Sequence, residues 1–341
     1  MSEPNTEKPI ISAVDLAVHF PLGRALFGKP PVIRAVEGIN LDIPRGSFFG
    51  LVGESGSGKT TFGRALLKAV PISRGHVRYD DGEVNYDLAE IDKTVLKDYR
   101  KRAQLIFQDP YAALSPRMTV RDIIAEPLEV MKLTSSREET DKRVREIAAK
   151  CRLNLEHLRR FPHAFSGGQR QRISIARALV CNPRFIVADE SVAALDVSIQ
   201  ADVLNLLKAL QQELGLTFLF ISHDLSVVAH TCDHVAVMYL GRLVETGPTR
   251  KLFNSPRHPY TKALLSAIPS LDPDHVSTAQ KLEGEIPSPS NPPPGCKFQT
   301  RCPFAIDRCR SEEPKLAHAG EEHEVACHRW EELSEKAAAE A

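Results

Sequence analysis

A glycine-rich loop between a strand-like and a helix-like segment is the feature that most constrains this fold. Residues 48–53 read FFGLVG, a continuous apolar run of the kind found in buried strands. Residues 63–70 read GRALLKAV, in which apolar side chains recur at helical spacing. The intervening sequence GESGSGKTT, residues 53–61, fits the pattern G-x-x-x-x-G-K-[ST]. Together these three segments predict a site for the phosphates of a nucleotide such as ATP.

Each residue type in this loop has a defined task in phosphate binding. Glycines let the backbone come close to the phosphates, and the N–H groups at the start of the helix attract their negative charge. Lys59 is expected to reach the β- and γ-phosphates, and the hydroxyl of Thr60 is expected to bind Mg²⁺. The predicted ATP-binding residues of the loop are Gly53, Glu54, Ser55, Gly56, Ser57, Gly58, Lys59, Thr60 and Thr61.

A second candidate element lies at residues 184–190, RFIVADE, where an apolar run ends in two carboxylates. In open α/β folds, ligands bind at the carboxyl ends of the parallel strands. Asp189 is therefore predicted to bind Mg²⁺, directly or through water. Glu190 is predicted to act as a general base or to position water for attack on the γ-phosphate. Polar residues are also common at strand ends, but the nearby phosphate-binding loop favours the catalytic interpretation.

Short apolar runs and helical stretches alternate along the chain and predict an α/β fold with a mostly parallel core sheet. Continuous runs at residues 103–108, 184–190 and 217–224 indicate further strands that are buried on both faces. In residues 201–215, apolar side chains on one helical face indicate a helix packed on the sheet. Residues 109–172 show helical patterns without a strand pattern, which predicts an inserted helical subdomain.

The charge and the lengths of the apolar segments limit the possible partners. Lysine and arginine together number 44, as do aspartate and glutamate, so no global field attracts nucleic acid or an acidic membrane. No run approaches the roughly 18 apolar residues that a membrane span needs, and the first residues lack the pattern of a secretory signal. We therefore expect a soluble cytoplasmic chain that does not bind nucleic acid.

Several spaced motifs resemble those of the nucleotide-binding subunits of ATP-binding cassette (ABC) transporters, over about residues 10–255. The sequence FSGGQRQR, residues 165–172, is similar to the signature motif of that family. This similarity implies that ATP is also contacted by Ser166, Gly167, Gly168 and Gln169. In DESVAALD, Ser191 and Ala193 stand where the family usually has proline and serine.

The resemblance also implies roles for four residues outside the loop. Gln108 in FQDP resembles the lid glutamine, which implies a catalytic role and a contact with Mg²⁺. His223 in FISHD resembles the switch histidine, which contacts the γ-phosphate and orients the attacking water. Asp196 in AALD and Phe20 in HFPL resemble ATP-binding residues, with Phe20 as the aromatic that stacks on adenine.

For the fold, the resemblance implies a P-loop cassette, predicted here over residues 8–255. A small antiparallel β subdomain would accompany the core sheet and the helical subdomain at about residues 109–172. ATP would be sandwiched between two subunits, with the loop of one facing the signature motif of the other, so that hydrolysis requires a dimer. The implied catalytic residues are Lys59, Gln108, Glu190 and His223.

Three longer stretches narrow the resemblance to the dipeptide/oligopeptide importer branch: residues 108–120, 255–269 and 286–305. The last two lie at or in a C-terminal extension, predicted over residues 256–341. This branch implies an ATPase that energises import of dipeptides or oligopeptides, with nickel chelates or another peptide-like solute as the alternative cargo. A soluble ABC ATPase without a transport role is a further alternative.

The same branch implies the partners and the location. The ATPase would pair with a second ATPase subunit, a paralogue, and with two transmembrane permeases. An extracytoplasmic solute-binding protein would belong to the same system. The chain would then be a peripheral subunit at the cytoplasmic face of the inner membrane.

Four of the seven cysteines lie in the C-terminal extension with the spacing C-x5-C-x6-C-x17-C: Cys296, Cys302, Cys309 and Cys327. Disulfides are rare in a reducing cytosol, which leaves metal ligands or free thiols. The C-x2-C pair typical of structural zinc is absent, and the resemblance implies a [4Fe-4S] cluster in some members of the branch. A cluster, Zn²⁺ and free thiols therefore remain as alternatives. His318, His323 and His328 could substitute as ligands, but we expect solvated side chains at these positions.

Overall fold

The computed structural model describes residues 8–23, 31–268 and 284–339. Residues 24–30, 269–283 and 340–341, which the predicted domains include, lie outside these ranges. The described strands are β1 (Ile11–Pro21), β2 (Val32–Ile43), β3 (Phe48–Val52), β4 (Arg74–Asp80), β5 (Asn85–Asp87), β6 (Ala103–Ile106), β7 (Phe185–Asp189), β8 (Thr217–Ile221), β9 (His234–Tyr239), β10 (Arg242–Pro248), β11 (Ala317–His318) and β12 (Glu324–Val325).

The described α-helices are α1 (Lys59–Leu66), α2 (Lys93–Arg102), α3 (Pro110–Ala113), α4 (Val120–Val130), α5 (Arg137–Lys150), α6 (Gly167–Leu179), α7 (Val197–Leu214), α8 (Leu225–Thr231), α9 (Thr249–Asn254), α10 (Pro259–Ser266), α11 (Asp307–Ser311) and α12 (Trp330–Ala339). Two short 3₁₀ helices, Leu155–Arg159 and Pro162–Ala164, lie between α5 and α6. Among the helices of the described residues, none is long and apolar enough to cross a membrane.

An eight-stranded sheet forms the centre of the molecule, with the strand order β11-β12-β10-β9-β3-β8-β7-β6. The strands β9, β3, β8, β7 and β6 are parallel, and β10, β12 and β11 continue the sheet in antiparallel pairing. Every residue of β3, β7 and β8 is buried, because both faces of the sheet are covered. The strands predicted from continuous apolar runs are therefore confirmed as β3, β6, β7 and β8.

The two faces of this sheet contribute to two apolar cores. On one face Phe48 stacks on Phe218 with 4.8 Å between ring centroids, and the helices of residues 110–214 complete that core. On the other face Leu51 packs with Phe62 of α1 and with the four-stranded antiparallel sheet β2-β1-β4-β5. Helix α1 is thereby buried between the two sheets, which fixes its N-terminus at the carboxyl edge of the core sheet.

Residues 109–172, all of which the structure describes, form helices and no strand. They leave the core sheet after β6 and return to it through α6, which packs against α4. Ser136 caps the start of α5, where its hydroxyl accepts the N–H of Glu139 at 3.2 Å. This helical stretch therefore lies between two strands, β6 and β7, that are direct neighbours in the sheet.

The C-terminal extension adds to the edge of the core sheet. Strand β12 pairs with β10, and Val325 stands opposite the buried Glu245. The Glu245 carboxylate accepts the N–H groups of Arg257 at 2.7 Å and of His258 at 3.0 Å, and lies 2.8 Å from Nε2 of His323. The expectation that His323 is solvated is therefore wrong, because strand pairing buries this side chain beside Glu245 and leaves it 4% exposed.

Candidate nucleotide-binding site

The predicted phosphate-binding loop runs from the end of β3 to the start of α1. Gly53 and Gly58 have φ angles of +147° and +104°, in the region that favours glycine. A Cβ atom at Gly53 would lie 2.1 Å from the carbonyl oxygen of Met238, and one at Gly58 would lie 2.1 Å from that of Ala35. The loop therefore needs glycine at both positions in order to turn between β2 and β9.

Lys59, the first residue of α1, has its side chain buried within the loop. Its Nζ donates to the carbonyl oxygens of Gly53 at 2.7 Å and of Glu54 at 3.0 Å. Burial lowers the pKa of Lys59, while the charges of Glu190, Asp189 and Glu54 act to raise it. A lysine held at this point has the position and the charge to bind phosphate oxygens.

Thr60 and Asp189, both predicted at Mg²⁺, are in contact. The Thr60 hydroxyl donates to Oδ1 of Asp189 at 2.9 Å. Asp189 ends β7, and its burial raises the pKa of its carboxyl group. Hydroxyl and carboxylate oxygens are the ligands that Mg²⁺ prefers, and a nearby cation favours the ionised carboxylate. The pair therefore fits a divalent cation.

Glu190 is the centre of a second group of side chains. Its Oε2 accepts a hydrogen bond from Nε2 of Gln108 at 2.8 Å and lies 3.4 Å from Nδ1 of His223. Its backbone has φ +45°, a left-handed conformation that costs a non-glycine residue roughly 1–3 kcal/mol and is common at functional sites. The fold thus brings together three residues that lie far apart in the sequence.

The remaining predicted ATP-binding residues lie elsewhere in the chain. Ser166 and Gln169 form a capping box at the start of α6, whose first two residues are the signature glycines. Asp196 caps α7. Phe20 lies in β1, partly buried against the core of the antiparallel sheet. Within the described ranges, no hydrogen bond or ion pair joins these residues to loop residues 53–61.

Two residues outside the predicted cassette reach the loop, and sequence analysis did not identify them. The hydroxyl of Tyr260 accepts the N–H of Glu54 at 2.8 Å. The guanidinium of Arg301 donates to both carboxylate oxygens of Glu54, at 2.7 and 3.1 Å. These contacts span 206 and 247 residues, and no local pattern indicates pairing over such distances.

The four cysteines of the extension line one cavity of about 20 Å³, and all four are free thiols. Burial raises the pKa of Cys296 to about 12 and that of Cys302 to about 11, and neighbouring cysteines contribute to both shifts. The ring of His328 borders the same cavity. Within residues 8–23, 31–268 and 284–339, no group of three or more His, Cys, Asp or Glu side chains has the geometry to hold a metal ion.

Two family profiles match the chain. The ABC transporter profile matches residues 36–193, and the profile of the oligopeptide/dipeptide transporter C-terminal region matches residues 244–309. The dipeptide transport ATP-binding protein of Escherichia coli is 46% identical over 325 residues, which cover 95% of this chain and 96% of that protein. The dipeptide transport ATP-binding protein of Haemophilus influenzae is 45% identical over 326 residues, 96% of this chain and 98% of that protein.

Solved structures of cassette proteins share the fold. A dimeric ATP-binding cassette in a post-hydrolysis state with bound ADP and Pi has a TM-score of 0.61 and 28% identity, covering 70% of this chain and 99% of that one. A Clostridium perfringens protein that is part of an ABC transporter complex has a TM-score of 0.61 and 26% identity, covering 73% of this chain and 92% of that one. With the loop geometry and the nearly full-length relatives, these matches show that the chain belongs to the ABC transporter family and is an ATP-hydrolysing subunit.

Proposed function

We propose that this ATPase energises the import of dipeptides or oligopeptides across a membrane. The match of residues 244–309 to the oligopeptide/dipeptide transporter C-terminal region supports the proposal. So do relatives named for dipeptide transport that align over nearly the whole chain. Nickel chelates or another peptide-like solute are the alternative cargo, and a soluble ABC ATPase without a transport role is the second alternative.

The convergence of six side chains at the carboxyl edge of the core sheet carries the proposed catalytic chemistry. Three observations support it: the contact of Thr60 with Asp189, the group around Glu190, and the effect of both carboxylates on the pKa of Lys59. The six residues are Lys59, Thr60, Gln108, Asp189, Glu190 and His223.

In this proposal the loop and its neighbours hold the triphosphate. Lys59 and the N–H groups at the start of α1 bind the β- and γ-phosphates and stabilise the charge that develops there. Thr60, Asp189 and Gln108 are the residues that would hold Mg²⁺, Asp189 directly or through water. A bound Mg²⁺ ion would neutralise part of the phosphate charge.

The group around Glu190 acts on the attacking water. Glu190 accepts the proton of that water or positions it, and the hydrogen bond from Gln108 orients the carboxylate. His223 is more than half exposed, so its ring is free to contact the γ-phosphate and to orient the water. The result is hydrolysis of ATP to ADP and phosphate.

We further propose that ATP binds between two subunits. Among the described residues, no hydrogen bond or ion pair joins residues 166–169 to the loop of the same chain, which supports this arrangement. A similar solved cassette is described as dimeric. The signature residues and Asp196 would then contact ATP held by the partner, while Phe20 would stack on the adenine held by its own loop. The partner in this proposal is a paralogous ATPase subunit.

Two exposed apolar side chains, one of them next to Gln108 in the sequence, support a contact with permeases. Phe107 is 41% exposed and Val130 is 68% exposed, and both border a groove of about 290 Å³ between β6, α4 and α6. We propose that the helical subdomain at 109–172 moves against two transmembrane permeases, to which a solute-binding protein delivers cargo. The chain would then act at the cytoplasmic face of the inner membrane as a peripheral subunit.

Uptake of isotope-labelled peptides tests this function. In cells that lack the chain, wild-type protein should restore uptake of labelled dipeptides or longer peptides, and the Glu190→Gln variant should not. Restored uptake of a nickel chelate, with no effect on peptides, would favour the alternative cargo. No effect on any solute by an active ATPase would contradict a transport role.

For the extension, we propose that Cys296, Cys302, Cys309 and Cys327 hold a [4Fe-4S] cluster, with Zn²⁺ as the alternative. Their shared cavity and their free thiols support the proposal, since thiolates are the ligands of both centres. Binding requires the thiols to lose their protons, which a metal charge favours despite the raised pKa values. It also requires a movement of the loops that carry the four cysteines, because no group of three or more such side chains among the described residues has the geometry to hold a metal ion.

Metal analysis of protein purified without oxygen tests this site. A cluster predicts about four irons and four acid-labile sulfides per chain, whereas stoichiometric zinc would support the alternative. Cys302→Ser should lower the metal content and make the extension more sensitive to protease, because this tail has few apolar residues of its own. Cys181→Ser, outside the cavity, is the matched control. A wild-type chain without metal would leave four free thiols and contradict the proposal.

A further inference from the structure

A salt bridge joins the phosphate-binding loop to the C-terminal extension. Nη1 of Arg301 lies 2.7 Å from Oε2 of Glu54, and Nη2 lies 3.1 Å from Oε1, so the guanidinium holds both carboxylate oxygens. Glu54 is the second residue of the loop, and Arg301 stands directly before Cys302. Two segments that lie 247 positions apart in the sequence are therefore fixed to one another.

The pair is shielded from water, above all on the arginine side. The side chain of Arg301 is 5% exposed and that of Glu54 is 26% exposed. The hydrogen bonds with Glu54 raise the pKa of Arg301, so the guanidinium stays charged. Removing one member of such a pair leaves the charge of the other uncompensated. Without Arg301, the loop that binds phosphates would carry a bare carboxylate.

An aromatic cluster holds Arg301 and Glu54 in place. The N–H of Arg301 donates to the carbonyl oxygen of Phe298 at 3.0 Å. The Phe298 ring packs against Tyr239 and Tyr260, with 5.3 Å between centroids in both pairs. Tyr260 in turn accepts the N–H of Glu54. The backbone and the side chain of Glu54 are therefore both fixed by residues in and around this cluster.

The backbone of Glu54 is also a partner of the lysine that is proposed to bind phosphate. Nζ of Lys59 donates to the Glu54 carbonyl oxygen at 3.0 Å. A shift of the Glu54 peptide would therefore change the environment of the ammonium group. A negative side chain at this point would also repel a triphosphate, and the guanidinium offsets that charge.

We propose that Arg301 is a positioning residue of the nucleotide site, which orients and neutralises Glu54 so that the loop binds ATP with full affinity. This role rests on the proposed function of residues 53–61 in phosphate binding. Because the loop contacts the phosphates both before and during hydrolysis, losing Arg301 weakens binding more than turnover. The C-terminal extension thereby contributes to ATP affinity through one side chain.

The test is MgATP binding and hydrolysis by full-length protein carrying Arg301→Ala, with Arg308→Ala as the matched control. Arg308 belongs to the same extension, but it is exposed and pairs with Glu312 on the surface. We expect Arg301→Ala to raise Kd and KM for ATP about tenfold, the low end for a charge-assisted hydrogen bond, with kcat within about twofold. Equal ATP affinity in the Arg301→Ala and Arg308→Ala variants would overturn the proposal.

A double-mutant cycle with Glu54→Gln asks whether Arg301 acts through Glu54. If it does, the double variant loses no more affinity than Arg301→Ala alone. Independent losses that multiply in the double variant would overturn the proposal. Arg301→Lys keeps the charge without the two-pronged contact, and it should recover part of the affinity.

Thermal unfolding and metal content of every variant separate this role from damage to the fold. If Arg301→Ala does not fold, Arg301→Gln carries the test, because glutamine fills part of the space of the arginine but has no charge. A folded Arg301→Gln variant with wild-type affinity for MgATP would overturn the proposal. Wild-type protein that does not bind MgATP would instead contradict the role of the loop, so the two failures are distinguishable.

Discussion

Replacing Glu190 by glutamine should leave ATP binding intact and slow hydrolysis at least about a hundredfold, as expected for the loss of a general base. The new amide oxygen can still accept the hydrogen bond that Gln108 donates, so the local geometry is retained. The amide cannot accept a proton from the attacking water. ATP should therefore persist in the site, and closed dimers should accumulate.

Hydrolysis is measured by phosphate release, and ATP binding is measured at equilibrium. The accumulation of dimers is measured as molecular mass by light scattering. Glu146→Gln is the matched control, because Glu146 is an exposed carboxylate on α5, away from the site. The control should resemble the wild type in every assay. Unchanged turnover in the Glu190→Gln variant would mean that another group activates water.

Lys59→Ala should weaken ATP binding about a hundredfold or more. The substitution would remove the charge-assisted hydrogen bonds that we propose Lys59 makes to two phosphates, each contributing about 1.5–3 kcal/mol, and about 1.4 kcal/mol corresponds to tenfold in affinity. It also removes the buried donor of the Gly53 and Glu54 carbonyl groups, which loosens the loop itself. Binding and hydrolysis should therefore fail together, in contrast to the effect of Glu190→Gln.

Titration with MgATP measures this loss, and a thermal unfolding curve establishes that the variant is folded. Lys68→Ala is the control, because Lys68 lies just beyond the end of the same helix and its Nζ donates to the carbonyl oxygen of Ala89, at 3.5 Å, rather than to the loop. Wild-type affinity in a folded Lys59→Ala variant would rule out this lysine as the phosphate ligand.

The core strands could be predicted from sequence because their signal is local. A strand buried on both faces has apolar residues throughout, and β3, β6, β7 and β8 all coincide with such runs. The phosphate-binding loop could be predicted equally well, because its sequence pattern contains the glycines that the structure needs. At Gly53 and Gly58, the φ angles and nearby carbonyl groups leave no room for a Cβ atom. Its assignment to ATP phosphates stays a prediction until binding is measured.

The group around Glu190 required the family resemblance. Spacing alone indicates that Asp189 and Glu190 end a strand, but it does not connect them with Gln108 or His223. Parallel strands place the ends of β6, β7 and β8 side by side, and this long-range pairing brings the three side chains together. Such pairing depends on the complete fold rather than on any one segment.

The extension was the least predictable part. Its polar, proline-rich composition indicated solvated side chains, yet His323 is buried because β12 pairs with β10 and brings it to Glu245. The contact of Arg301 with Glu54 depends on the same docking. No sequence pattern relates residues 247 positions apart, so these contacts could only be found in the structure.

The late position of β12 has a consequence for protein synthesis. Strand β10 pairs with β9 on one side and, among the strands that the structure describes, with β12 on the other. Because β10 ends at Pro248 and β12 begins at Glu324, that side of β10 stays uncovered until the ribosome has made the residues between them. An uncovered strand edge is a template for pairing with another molecule. The nascent chain is therefore most prone to aggregate between the synthesis of Pro248 and that of Val325, and chains truncated in this interval keep that risk permanently.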